Sequence, residues 1–160
     1  MRRFPVLAAL RARPVTTPAP PARTHDRASR ALRGSAQLRH VDAGSCNGCE
    51  VEIAQVFSPV WDAGRFGVRL VASPRHADGL LVTGVVTRNM LTPLRRTLDA
   101  VPRPRTVIAC GDCAVSGGVF AGAYGVVGAV RDAVGVDLEI TGCPPHPSAI
   151  VEGLRGLTGR

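Results

Sequence analysis

The chain has 160 residues, with 20 basic side chains against 12 acidic ones and a formal charge of +8. That length allows one domain with a sizeable core, and 45% apolar residues exclude a wholly disordered chain. No run approaches the roughly 18–20 apolar residues of a membrane span, which excludes an integral membrane protein but not one docked on a membrane complex.

The charge is unevenly spread. Residues 1–40 hold nine arginines (2, 3, 11, 13, 23, 27, 30, 33 and 39) and one acid, Asp26, for a sum of +8. Residues 41–160 hold 11 arginines and 11 acids and sum to zero. A neutral body argues against a nucleic-acid partner, whose site would place its basic stripe on the fold.

Residues 1–36 are rich in Arg, Pro and Ala, and the stretch Pro14 to Pro21 can neither continue a helix nor join a central strand. A disordered basic extension is expected there, suited to an acidic partner or an anionic lipid. Arg2-Arg3-Phe4 followed by Val6–Leu10 has the outline of an export signal, but Arg11 and Arg13 cut the apolar stretch too short.

From residue 37 to residue 160 the pattern is that of one α/β domain. Leu38–Asp42 reads as a strand, followed by Ala43-Gly44-Ser45. Glu50–Phe57 carries apolar residues at helical spacing and ends before Pro59. Gly67–Ala72 reads as a second strand and Gly79–Gly84 as a third, apolar on both faces. Asn89–Ala100 is a predicted helix with Pro93 near its start. Thr106–Cys110 is another buried strand, Val136–Ile140 an alternating one, and Pro147–Leu157 a closing helix with proline at its first position. Strands alternating with helices predict a mostly parallel sheet, with sites in the loops beyond its carboxyl ends. The cysteines fall there: Cys46 and Cys49 after the first strand, Cys110 and Cys113 at and after the fourth, Cys143 after the last.

Four chemistries compete for these five thiols. Disulfides fit poorly with an odd count. Burial as an inert side chain suits Cys110. Zinc could take Cys46, Cys49, Cys110 and Cys113, but 60 residues separate the two pairs and Cys143 is left idle; this is the structural-module alternative. A 4Fe–4S cluster needs one thiolate per iron, which Cys46, Cys49, Cys113 and Cys143 would supply. The surrounding glycines would let backbone N–H groups approach its sulfurs.

The ordered motifs Gly44-Ser45-Cys46-Asn47-Gly48-Cys49, Gly111-Asp112-Cys113-Ala114-Val115-Ser116-Gly117-Gly118 and Gly142-Cys143-Pro144-Pro145 resemble the small subunits of NiFe hydrogenases. They are equally similar to the homologous 20-kDa subunit of respiratory NADH:quinone oxidoreductase. Ser73–Asp78 and Leu81–Gly84 share the likeness, which covers roughly residues 36–156. The respiratory subunit carries two adjacent cysteines in the first motif, whereas Cys-Asn-Gly-Cys is the hydrogenase form. The short chain resembles the membrane-bound, energy-converting group of the formate hydrogenlyase small-subunit type.

The resemblance implies a flavodoxin-like, three-layer α/β domain with one 4Fe–4S cluster on Cys46, Cys49, Cys113 and Cys143. It implies an electron-transfer subunit of an oxidoreductase, not catalytic alone, with a hydrogenase-like large subunit, a ferredoxin-like subunit and a membrane-embedded subunit as partners. Its expected location is the cytoplasmic side of the membrane, held peripherally through the complex. Glu52 matches a family acid read as a proton relay, while Glu50 reads as a solvated acid in a first helical turn. A homologous subunit of a quinone-reducing complex is the alternative within the same superfamily. His76 is expected to cap a loop, Ser116 to serve a turn or a cluster sulfur, and Trp61 and Phe66 to pack in the core or at an interface.

Overall fold

The computed structural model describes Leu32 and residues 34–160. Residues 1–31 and Arg33, and so nearly all of the expected extension, lie outside the described residues. Ala36 already opens the first strand, two residues before the predicted start at Leu38.

In chain order the elements are β1 (Ala36–Asp42), α1 (Gly48–Val56), β2 (Val68–Leu70), β3 (Gly79–Thr83), β4 (Val86–Thr87) and α2 (Arg88–Ala100). They continue with β5 (Thr106–Cys110), α3 (Asp112–Ser116), β6 (Val126–Gly128), α4 (Val130–Ala133), β7 (Leu138–Ile140) and α5 (Pro147–Thr158). Five strands form one parallel sheet in the order β2-β1-β3-β5-β7, and β4 pairs antiparallel with β6. Counting only the parallel strands, the order is 2-1-3-4-5, that of flavodoxin-like folds.

The central strands β3 and β5 are buried along their whole length, because apolar side chains on both faces meet helices on both sides. Leu81 and Ile108 pack with Ile53 and Val56 of α1 and Ile150 and Leu154 of α5. Their neighbours Leu80, Val82, Val107 and Ala109 face the opposite way, onto Leu94 of α2, Ala114 of α3 and Val130 of α4. The strand period of two thus supplies both cores. Each fully buried leucine contributes about 1.5–3 kcal/mol.

The register positions the site. Asp42 pairs with Thr83, Thr83 with Cys110, and Cys110 with Ile140, so four strands end in one row. Adjacent strands lie about 4.8 Å apart, so the loops leaving this row emerge side by side.

Sequence patterning finds every parallel strand and the three long helices. It overextends β2 and β7, each only three residues long. It misses β4, β6, α3 and α4, which are too short to show a period. The turn from β3 into β4 depends on Gly84, at φ +74°, where a Cβ would lie 2.4 Å from the Ser45 backbone nitrogen.

Candidate metal centre

The loop after β1 is built by Asp42. Its Oδ1 accepts from the backbone nitrogens of Gly44 and Ser45, both at 2.8 Å, and Ser45 Oγ accepts from Asn47 N at 3.1 Å. Asn47 takes the left-handed conformation at φ 70° and turns the chain into α1. Cys46 is thereby left exposed on the loop, and Cys49 is buried in the first turn of the helix. The loop after β5 turns at Gly111 (φ +94°) into α3, which carries Cys113. The loop after β7 turns at Gly142 and presents Cys143, which is exposed.

Cys46, Cys49, Cys113 and Cys143 line one cavity of about 150 Å³, together with Ser45, Gly48, Gly84, Asp112, Gly142 and Pro144. All four predicted ligands therefore come together, two buried and two at the rim. Cys110 does not line the cavity. It is 0% exposed and packed in the core, as its place at the end of an apolar strand predicts. Among the described residues, no three Cys, His, Asp or Glu side chains converge closely enough to hold a single ion.

The thiols feel one another. Burial pushes Cys49 up to about 12, and Glu50, Cys113, Cys46 and Cys143 add to the rise. Cys113 is raised by burial first, then by Cys143, Cys46 and Asp112, while a hydrogen bond from the Val119 backbone opposes the rise. Crowded thiolates in a poorly solvated pocket repel, and cationic iron or zinc would relieve that repulsion. Cys110 is also raised to about 12, chiefly by burial.

Glu50 corrects the sequence reading. Both its carboxylate oxygens are buried and without a hydrogen-bond partner, with His40 Nε2 at 3.8 Å from Oε1. His40 Nε2 also lies 2.9 Å from Thr83 Oγ1. The first turn of α1 lies against the sheet end, so Glu50 points inward. Glu52 lies half-buried on the same helix.

Ser116 Oγ donates to Asp112 O at 3.0 Å and accepts from Gly118 N at 3.4 Å, which is turn chemistry. His76 is exposed, and the cap of its loop is Ser73, whose Oγ accepts from Arg75 N. His146 caps α5, accepting from Ser148 N, and meets Trp61 edge-on at 5.5 Å. Trp61 and Phe66 pack partly buried against the core.

Sequence reasoning missed Asp42 as a loop builder and Gly84 as a wall of the cavity. An aspartate followed two and three residues later by Gly and Ser is the signal of an Asx turn. A glycine closing a buried strand is the signal for close backbone approach.

An open parallel sheet in the 2-1-3-4-5 order, with four cysteines around a cavity at its carboxyl edge, defines a flavodoxin-like domain with a thiol-lined centre. The family model of the NADH ubiquinone oxidoreductase 20 Kd subunit matches residues 46–157, and the chain belongs to this family. It is 47% identical over 128 residues to formate hydrogenlyase subunit 7 of Escherichia coli, covering 80% of this chain and 50% of that protein. The chain thus spans half the length of that relative. It is 46% identical over 115 residues to a probable membrane-bound hydrogenase subunit of Pyrococcus furiosus, covering 72% of this chain and 69% of the relative. Among solved structures, a chain of an archaeal membrane-bound sulfane sulfur reductase superposes with a TM-score of 0.70 at 31% identity, covering 81% of this chain and 72% of that one. A chain of an NAD+-reducing NiFe hydrogenase shares the fold, with a TM-score of 0.57 at 20% identity over 72% of this chain and 86% of that one. Among the described residues no helix is long and apolar enough to cross a membrane.

Proposed function

We propose that the chain is an electron-transfer subunit that holds one 4Fe–4S cluster through Cys46, Cys49, Cys113 and Cys143. It would pass electrons to or from a hydrogenase-like large subunit in a membrane-associated complex. The observation that carries this reading is that these four thiols line one cavity while the fifth, Cys110, lies in the core.

The donor set fits the cluster better than zinc. Zinc would draw four sulfurs to about 2.3 Å from one point, whereas among the described residues no three such side chains converge on a single ion. A cube of iron and sulfide takes one thiolate per iron at separate corners, which suits donors spread around a cavity. When bound, such a cluster would exchange one electron at a time. The chain's own part is position, exclusion of water and hydrogen bonding. Cys49 and Cys113 would anchor the buried side, and Cys46 and Cys143 the side open to a partner.

Exposed apolar side chains lie on the segments that follow the cysteines. Val51 follows the first cysteine pair and is 52% exposed, while Val119 and Tyr124 in the loop after Cys113 are 84% and 88% exposed. Exposed apolar residues beside a redox site suit a stable docking surface. That surface would receive the large subunit, with a ferredoxin-like subunit and a membrane-embedded subunit completing the path and holding the chain at the cytoplasmic face of the membrane. Glu52, half-buried on α1, is the carboxylate assigned to proton relay at this face. The names of relatives at 46–47% identity favour a hydrogenase over a quinone-reducing complex.

Anaerobic reconstitution followed by stepwise reduction under EPR tests the reading. One paramagnetic cluster per chain, appearing with one-electron behaviour, is expected. Colourless protein without iron after reconstitution would refute it.

A further inference from the structure

We propose that Asp112 is a positioning residue that sets the separation of Cys113 and Cys143 before any cofactor arrives. This rests on the reading that both cysteines are cluster ligands. Asp112 and Gly142 each immediately precede one of these cysteines, and they exchange two hydrogen bonds. The Asp112 backbone nitrogen donates to Gly142 O at 2.9 Å, and Gly142 N donates back to Asp112 Oδ1 at 2.7 Å.

Strands β5 and β7 stop at Cys110 and Ile140. Beyond them Gly111 N donates to Ile140 O at 2.8 Å, and the Asp112–Gly142 exchange extends the pairing into the two ligand loops. A parallel ladder made of backbone alone gives slanted single bonds. The reciprocal pair closes here because a side chain at position 112 supplies an acceptor that the backbone lacks. An acid at the start of a helix ordinarily reads as a solvated partner of its dipole. In this chain one carboxylate oxygen is instead spent on the backbone of another ligand loop.

A second tie runs between the same segments. Arg131 donates from Nε and Nη2 to Val115 O in α3, at 3.1 and 2.7 Å, and its Nη2 lies 2.8 Å from Glu139 Oε1 in β7. The helix bearing Cys113 is thus tied at its first residue to the loop that carries Cys143, and near its last, through the exposed Arg131–Glu139 pair, to β7. Outer partners of metal ligands commonly change metal affinity 10–100-fold, and Asp112 acts through the spacing of two ligands at once.

The test uses the full chain carrying Asp112→Asn, Asp112→Ala or Asp112→Glu. Asparagine keeps an oxygen acceptor at the same reach, alanine removes it, and glutamate keeps the charge but lengthens the arm by one methylene. Two readouts are needed: hydrogen exchange at the Gly142 amide in the cluster-free protein, and cluster retention against an iron chelator with the EPR line shape. Asp112→Asn is expected to protect the Gly142 amide and hold iron as the wild type does. Asp112→Ala is expected to lose the protection, weaken retention about 10–100-fold and alter the EPR signature. Asp112→Glu is expected to retain iron less well than Asp112→Asn, and that order decides the matter even if the alanine variant does not fold. An unchanged Asp112→Ala, or an Asp112→Glu that surpasses Asp112→Asn, would overturn the proposal. Wild-type protein that takes up no iron would defeat the cluster reading, while Gly142 exchange would still decide whether Asp112 ties the two loops.

Discussion

Glu50 holds its carboxylate 3.8 Å from the His40 imidazole, and neither carboxylate oxygen has a hydrogen-bond partner among the described residues. A buried acid without donors is costly, because it gives up water and receives no hydrogen bond in exchange. Its position one residue after Cys49 puts that cost at the back of the candidate centre.

Replacing the charge should therefore help the cluster-free protein fold. Glu50→Gln keeps the shape and removes the unpaired charge, and a gain of about 1 kcal/mol is expected in urea unfolding. A loss of similar size would mean that the carboxylate is well satisfied in the folded chain.

His40 makes folding depend on pH. Burial lowers its pKa from 6.5, with Glu50 and Asp42 pulling partly back and Arg39 adding to the fall. The unfolded chain then binds a proton that the folded chain resists. The stability held with neutral His40 is full above pH 6.5 and is lost as the pH falls through the lowered folded value. His40→Gln should flatten the slope of stability against pH between about 7 and 5. An unchanged slope would mean that His40 is not the titrating group.

Thiol accessibility gives an order of alkylation in the cluster-free chain. Cys46 and Cys143 are exposed and should react first, Cys49 and Cys113 more slowly. Cys110, fully buried with its thiol raised to about 12, should react only on unfolding. Loading the cluster should protect the first four and leave Cys110 unchanged, which mass spectrometry of labelled peptides would show. Cys110→Ser should cost about 1–3 kcal/mol, because it buries a hydroxyl in an apolar core, without loss of iron.

Much of this arrangement is legible in the sequence because its signals are local. Leu80, Leu81 and Val82 are apolar without alternation, which marks β3 as a central strand covered on both faces. The three glycine-flanked cysteine motifs each follow a strand, which gathers them at one sheet edge once the sheet is parallel. The inward turn of Glu50 was not legible, since it depends on how α1 sits against the end of β1. The Asp112–Gly142 exchange was equally hidden, because it joins residues 30 apart through a register that only the sheet defines.

Gly111 shows how tightly the centre is drawn. A Cβ there would lie 2.5 Å from Cys49 Sγ, and the backbone is at φ +94°. Gly111→Ala should displace Cys49 and cost about 1–3 kcal/mol through backbone strain. Weakened iron retention should accompany that cost. Unfolding curves and iron content that match the wild type would show that the loop relaxes freely.

The most direct measurement is iron and acid-labile sulfide per chain after anaerobic preparation of the wild type, Cys110→Ala and Cys143→Ser. The account predicts about four irons and four sulfides per chain in the wild type and in Cys110→Ala, and loss of the intact cluster in Cys143→Ser. Zinc in place of iron, whether it is held by the four cavity cysteines or is lost without Cys110, would contradict it and leave a structural module.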